Sequence, residues 1–148
     1  VTHFLEAAFQ REVYRRVEAG ESLTAEDLNQ IFKGKLEEFW QDAVILNDGA
    51  ELTWMRQPHY YMGLYPYTYQ AGLTIGTVIS DKIVNGSKED VDTWLEVLKL
   101  GGSVGPIDLA KAAGVDMRST KAISETIEFI GSLVDQIDEL CEKLGMYK

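Results

Sequence analysis

The chain has 148 residues, a length that fits one domain and is sufficient for a buried core, so we expect residues 1–148 to form a single domain. Hydrophobic residues make up 45% of it, which excludes a disordered or low-complexity protein. Its 14 Lys and Arg stand against 24 Asp and Glu, and the net charge of −10 argues against nucleic acid and anionic membrane surfaces as partners. The single cysteine, Cys141, excludes an internal disulfide framework and favours a reducing compartment.

The first part of the chain predicts two helices and an irregular segment. Apolar residues recur at helical spacing over residues 4–19, and Gly20 is suited to ending that helix. Thr24 is the predicted N-cap of a second helix, because acidic residues follow it in the first turn. This helix closes before a loop at 47–49. Residues 50–61 are predicted to be irregular, since a proline interrupts them.

The second part predicts four more helices, so the fold class is all-α with about six helices. One covers residues 65–83, Ser87 caps the next, Pro106 opens a short one, and Ser119 caps the last and longest. In the last helix seven apolar residues recur at steps of four and three, a seam typical of packing along a neighbouring helix. They are Ile123, Ile127, Ile130, Val134, Ile137, Cys141 and Leu144.

Several kinds of site and location are excluded on composition and spacing. Residues 57–80 carry no formal charge, but their glutamines, prolines, glycines and tyrosines would leave polar groups unsatisfied in lipid, so no membrane span is expected. His3 and His59 lie far apart in the sequence and no His-Glu-x-x-His motif occurs, so we predict no metal site within the chain. Cys141 lies on the apolar seam and is interpreted as a structural thiol.

One segment is unusual, because five of the seven tyrosines fall within ten residues and directly follow a histidine. They are Tyr60, Tyr61, Tyr65, Tyr67 and Tyr69, next to His59. Packing around a helix start and a binding site are both consistent with this composition. Because residues 65, 67 and 69 are expected to point in different directions on a helix, some hydroxyls should face a cleft. Neutral phenols and an imidazole are suitable donors to an oxyanion or a peptide carbonyl.

Five stretches together resemble the C-terminal part of the oligoendopeptidase F-type peptidases, which belong with the thimet-like zinc oligopeptidases. The most specific is His59-Tyr-Tyr-x-x-x-Tyr65-x-Tyr67-x-Tyr69. The others are Phe9-Gln10-Arg11-Glu12, the turn from Glu18 to Thr24, Gly101-Gly102-Ser103 before Pro106, and the segment from Gly114 to Met117. The resemblance covers essentially the whole chain.

The resemblance implies the C-terminal portion of a larger, mostly helical, cytoplasmic zinc oligoendopeptidase that hydrolyses short oligopeptides. In that family zinc is held by two histidines of a His-Glu-x-x-His helix and a downstream glutamate, and the motif's own glutamate is the general base. None of these residues occurs in this chain, and by the family's layout they would precede Val1. We therefore expect the N-terminal remainder of the same enzyme to be a partner, and the fragment alone to be inactive.

The resemblance also implies roles for the residues of the His/Tyr segment. His59 and tyrosines among Tyr65, Tyr67 and Tyr69 would be catalytic, contacting the substrate and the tetrahedral intermediate. Substrate-binding roles would fall to Tyr60, Tyr61 and Gly63, with glycine leaving the backbone open to a peptide. Which tyrosine stabilises the transition state is left open by the spacing.

A second interpretation is a free-standing helical peptide-binding or interaction module without catalysis. Such a module would hold its partner in the tyrosine-rich segment or along the seam of the last helix. An exposed seam would then favour dimers, and the mass in solution would depend on concentration.

Overall fold

The computed structural model describes residues 2–147, and within them the chain forms seven α-helices and no strand. The helices are α1 (Thr2–Glu18), α2 (Ala25–Trp40), α3 (Thr53–Arg56), α4 (Tyr65–Asn85), α5 (Lys88–Leu100), α6 (Pro106–Ala112) and α7 (Lys121–Lys143). This confirms the predicted all-α fold class. Among these described helices, none combines the length and the apolar character that crossing a membrane requires.

The sequence predicted about six helices, and α3 is the one of the seven that it did not predict. The segment predicted to be irregular consists of α3 between two 3-10 turns, Ala50–Leu52 and Pro58–Tyr61. A helix of four residues is too short to show a 3.6-residue period in the sequence. Trp54 of α3 is buried, so packing of that indole holds the segment in place.

Two compact units make up the chain, Val1–Ala71 and Gly72–Lys148, and the expected single domain stays a prediction. The core of the first unit is mainly aromatic and consists of Phe9, Ile31, Phe32, Trp54 and Tyr60. Phe9 meets Phe32 and Tyr60 edge to face, with ring centroids 5.2 and 5.4 Å apart. Because Tyr60 belongs to the 3-10 turn at 58–61, this core fixes that turn against α1 and α2.

The second unit has a separate, aliphatic core. It consists of Val78, Ile79, Val97, Ala113, Val115 and Ala122. Lys82 of α4 donates from Nζ to the carbonyl oxygen of Gly114 at 2.9 Å, and so binds the turn that ends α6. Gly114 has a φ of +76°, a conformation that glycine adopts without the strain of a side chain.

Two of the three predicted caps are found in the structure. Thr24 and Ser87 each form a capping box with the aspartate three residues later, Asp27 and Asp90. The predicted N-cap of α7 is displaced by one residue: Thr120 occupies the N-cap position, and its side chain forms no capping hydrogen bond. The Ser119 hydroxyl oxygen still accepts the first helical amide, that of Lys121, at 3.4 Å, and the hydroxyl donates to the carbonyl oxygen of Asp116 at 3.2 Å.

Most of the apolar seam of α7 is exposed within the described residues. We define the α7 apolar face as Ile127, Ile130, Val134, Ile137 and Leu144, and half or more of each of these residues is exposed. Only Ile123 and Cys141 of the predicted seam are partly buried. The expected packing of this seam along a neighbouring helix is thus not found among residues 2–147.

Candidate functional site

His59 and the tyrosines that follow it are placed by a sharp reversal of the chain. His59 lies in the 3-10 turn Pro58–Tyr61, and its carbonyl accepts the Met62 amide at 3.3 Å. Gly63 and Leu64 then take positive φ values, +20° and +51°. This left-handed stretch turns the backbone into the first residue of α4, Tyr65.

The reversal brings one imidazole and two phenols into contact. The rings of His59 and Tyr65 are stacked, with centroids 5.2 Å apart and planes 4° apart. Tyr69 meets Tyr65 edge to face at 5.0 Å and His59 at 6.4 Å. The hydroxyls of Tyr65 and Tyr69 lie 2.9 Å apart and share a hydrogen bond. We call His59, Tyr65 and Tyr69 the ring cluster.

The expectation that residues 65, 67 and 69 point in three directions is wrong for two of them. Tyr65 and Tyr69 are four residues apart, so they share a face of α4. Tyr67 lies on a different face, and 49% of it is exposed.

A second histidine joins the ring cluster from α1, and sequence reasoning missed it. The ring of His3 stacks on Tyr69, with centroids 4.8 Å apart and planes 17° apart. The same imidazole is hydrogen-bonded through Nδ1 to Oε2 of Glu6 at 2.8 Å. Only 2% of Glu6 is exposed, so this carboxylate is a buried group on the face of α1 that packs toward the cluster.

Gln10 connects α1 to the turn that carries His59. Its side chain is 1% exposed, and Nε2 donates to the backbone carbonyl of Tyr60 at 3.0 Å and to that of His59 at 3.4 Å. The amide thereby holds the backbone of the turn. Glu6 and Gln10 are one helical turn apart, so a single polar stripe of α1 serves the site.

Four side-chain oxygens of this region are buried without a hydrogen-bond partner of normal geometry among the described residues: Glu6 Oε1, Gln10 Oε1, Gln57 Oε1 and the Tyr60 hydroxyl. Burial, and next the nearby negative charge of Glu6, raise the pKa of Tyr60 above that of a free phenol. Tyr60 is therefore a neutral phenol inside the core at neutral pH.

The exposed phenol of the ring cluster is also neutral. The hydrogen bond from Tyr65, and to a smaller extent partial burial, raise the pKa of Tyr69. Its ring is 45% exposed, so the hydroxyl is accessible from solvent while still fixed by its neighbours. Together the ring cluster presents phenol and imidazole donors, which suit a carbonyl oxygen that gains negative charge.

The remaining predicted site residues take different positions. Tyr61 is 68% exposed, whereas the ring of Tyr60 is buried in the core. A Cβ atom added at Gly63 would meet no heavy atom within 4 Å, so the backbone there is open on that side. Within residues 2–147, no group of three or more His, Cys, Asp or Glu side chains is arranged to hold a metal ion.

A signal for the missed residues does exist in the sequence. Glu6 and Gln10 alternate with Leu5 and Phe9 on the buried side of α1, so two polar residues interrupt an apolar face. A buried polar residue needs a partner, and this need could have indicated a site. Nothing in the sequence shows that this partner lies some 50 positions away, as the hydrogen bond from Gln10 to Tyr60 does.

The comparison with protein families decides the assignment. The sequence model of the family described as Peptidase family M3 matches residues 2–129, which is most of the chain. The chain belongs to peptidase family M3. This confirms the resemblance carried by the His/Tyr segment and the glycine turns.

Two relatives are named as an oligoendopeptidase and an oligopeptidase. The chain is 34% identical over 137 residues to "Oligoendopeptidase F, plasmid" of Lactococcus lactis subsp. cremoris, covering 93% of this chain and 23% of that protein. It is 31% identical over 138 residues to "Oligopeptidase PepF" of Bacillus subtilis (strain 168), with coverages of 93% and 21%. The chain thus spans less than a quarter of the length of these two relatives.

A solved structure has the same fold. The crystal structure of oligoendopeptidase-F from Enterococcus faecium superposes with a TM-score of 0.88 at 26% sequence identity. The match covers 96% of this family M3 chain and 27% of that protein.

Proposed function

We propose that this chain is the C-terminal portion of a cytoplasmic, zinc-dependent oligoendopeptidase that hydrolyses internal bonds of short peptides. Membership of peptidase family M3 and the names of the relatives support this reaction class. The observation that carries the proposal is the ring cluster, in which His59, Tyr65 and Tyr69 present polar atoms together on one surface of the first unit.

In this proposal the ring cluster binds the carbonyl group that is attacked. His59 and one hydroxyl of the Tyr65–Tyr69 pair donate to the carbonyl oxygen and strengthen those hydrogen bonds as it becomes an oxyanion. Because the two hydroxyls are already bonded to each other, one phenol orients the other, and little reorganisation is required during the reaction.

The neighbouring residues would bind the rest of the peptide. Tyr61 and Tyr67 are exposed and offer aromatic surfaces, and Gly63 leaves room for a peptide backbone. We assign Tyr60 a supporting role instead of direct substrate contact, since its ring is packed between Phe9 and Phe32.

As the family resemblance implies, we propose that zinc would be held by residues outside this chain. When bound, such an ion polarises a carbonyl and activates a water molecule. The part that this chain plays is limited to its own donors, which would bind and orient the carbonyl group.

The remainder of the enzyme is also proposed to cover the α7 apolar face. Five large side chains of that face are half or more exposed, which is unfavourable for an isolated helix in water. Relatives are about four times as long as this chain, so ample polypeptide exists in them to bury such a face.

The exposed α7 apolar face also favours the second candidate, a free-standing interaction module in which a second copy or another partner covers this face. The two candidates differ in the source of the covering chain. Family membership and the relatives support the enzyme.

A peptidase assay on the complete gene product tests the proposed function. We expect it to cleave a short internally quenched peptide, to lose activity with a chelator and to regain it with Zn²⁺. The 148-residue chain alone should bind no stoichiometric zinc and cleave nothing. A complete gene product without peptidase activity, or chelator-sensitive cleavage by the chain alone, would contradict the proposal.

A further inference from the structure

We propose that His3 and Glu6 form a positioning pair on α1 that holds Tyr69 in its working orientation. The inference rests on the proposed function, in that Tyr69 is taken to act on the substrate. It adds two residues to the site that the family resemblance did not assign to it.

The first step of the argument is that Glu6 fixes the imidazole. Glu6 is buried on α1 and its carboxylate accepts the Nδ1 hydrogen bond of His3 over 2.8 Å. A carboxylate on one ring nitrogen sets the tautomer and the rotation of an imidazole. Both residues belong to the same helix, three positions apart, so the pair is rigid with respect to α1.

The second step is that the fixed imidazole restrains Tyr69. The two rings are nearly parallel, with centroids 4.8 Å apart. On another side Tyr69 meets Tyr65, through the edge-to-face contact and the hydroxyl hydrogen bond. Since 45% of Tyr69 is exposed, its ring would sample several rotamers without these contacts. The entropy cost of ordering the ring during the reaction would then weaken its interaction with a transition state.

The third step is that stability alone gives little reason for this pair. Burying a carboxylate is costly, and an apolar side chain of similar size at position 6 would pack at lower cost. The His3 side chain is 46% exposed, so its charge-assisted bond to Glu6 is open to screening by water. A device that orients Tyr69 accounts for both the buried acid and the half-exposed ring.

The test uses the complete protein and the variant His3→Gln. Glutamine is a good helix former and its amide can still donate to Glu6, so the buried carboxylate keeps a partner while the ring stack is lost. We expect kcat for a short peptide to fall about tenfold, with KM changed less than about twofold, because a misplaced transition-state donor costs rate more than binding. The matched control is Glu12→Gln, which removes an ion pair with Arg15 and Arg16 on the same helix and should leave kcat unchanged.

A double-variant cycle separates positioning from a general structural effect. Tyr69→Phe removes the hydroxyl that His3 is proposed to position, so His3→Gln should cause no further loss of kcat in that background. Where Tyr69→Phe lowers kcat, the proposal is overturned if His3→Gln alone leaves kcat at the wild-type value. It is also overturned if the two losses multiply, because His3 would then act independently of Tyr69.

A spectroscopic readout keeps this inference distinguishable from the proposed function. If Tyr69→Phe leaves kcat unchanged, the catalytic role of Tyr69 fails, and positioning is judged from the ¹⁹F resonance of 3-fluorotyrosine placed at position 69. His3→Gln should shift that resonance, because the stacked ring is removed, whereas Glu12→Gln should not. A resonance that does not move with His3→Gln would overturn the positioning pair whatever the kinetics show.

Discussion

At the scale of single residues, Gln10 has the greatest structural effect for its size. One amide group spans from α1 to the carbonyl oxygens of His59 and Tyr60, and the side chain is fully buried. The position of His59 therefore depends in part on this side chain and on the packing of Tyr60.

Replacing Gln10 by Ala should loosen the turn. The carbonyl of Tyr60 would lose its donor inside the core, a loss of about 1–3 kcal/mol in the free energy of local opening. This free energy of local opening is measured by amide hydrogen exchange of peptides covering residues 58–62 in the complete protein. Gln30→Ala is the control, since Gln30 is exposed and bonds only to Glu26 among the described residues, so we expect a change within about 0.5 kcal/mol. Equal exchange in both variants would contradict the role of Gln10.

The part of the site that is local in sequence could be predicted, and the part that is distant could not. The density of tyrosines after His59 indicated this segment as a candidate site, although it did not predict that Tyr65 and Tyr69 share a face. The stack of His3 on Tyr69 joins residues 66 positions apart, and only the tertiary fold brings them together. Proximity in sequence can also mislead: Tyr60, which neighbours His59, was predicted to bind substrate, whereas its ring lies in the core.

At the scale of elements, helix starts are set by short capping motifs. In α5 the Ser87 hydroxyl and the Asp90 carboxylate each accept the other's backbone amide. The hydrogen bond from the Ser87 backbone amide to the Asp90 carboxylate, and next the one from the Ser87 hydroxyl, lower the pKa of Asp90. A carboxylate whose folded pKa lies below its unfolded pKa adds stability above the unfolded value, near 3.8, and loses it as the pH falls through the lower folded value.

Replacing Ser87 by Ala should therefore weaken the start of α5. We expect a loss of about 1 kcal/mol at neutral pH, within the range of about 0.5–2 kcal/mol for N-caps. Hydrogen exchange of the first turn of α5 measures it. Ser132→Ala is the control, because Ser132 is an exposed residue within α7 that caps no helix. A Ser87→Ala variant that exchanges like wild type would show that the capping box contributes nothing.

Capping motifs and apolar periods made most elements predictable, because both are local. The motifs at Thr24 and Ser87 gave the starts of α2 and α5. The start of α7 was missed by one residue: Thr120 is at the N-cap, although the Ser119 hydroxyl oxygen accepts the amide of Lys121. Helix α3 was missed because buried Trp54, and not a repeated pattern, holds it.

At the scale of the whole molecule, the α7 apolar face is an apolar surface that stays exposed to solvent in this chain. Its exposed side chains and the four-fold greater length of the relatives together support burial by further polypeptide in the enzyme. Cys141 is the chain's single cysteine, lies next to this face and is partly exposed, so it can report that burial.

The alkylation rate of Cys141 tests this burial. We expect iodoacetamide to modify Cys141 in the 148-residue chain and to do so much more slowly in the complete protein, as measured by mass spectrometry of the peptide. The control is a cysteine at Glu139, on the charged side of α7, which should react at similar rates in both. Equal rates at Cys141 would mean that the remainder of the protein leaves this face open, and would favour the interaction module.

The most direct test of the central claim is the kcat of His59→Phe in the complete protein, with zinc content measured on the same sample. We predict that kcat falls about 10²–10³-fold, the loss typical of removing one oxyanion donor, while the zinc content stays at the wild-type value. The control Tyr147→Phe, an exposed tyrosine of the second unit, should leave kcat unchanged. An unchanged kcat in His59→Phe would contradict the claim that the ring cluster acts on the substrate, and a loss of zinc would make His59 part of the metal site instead.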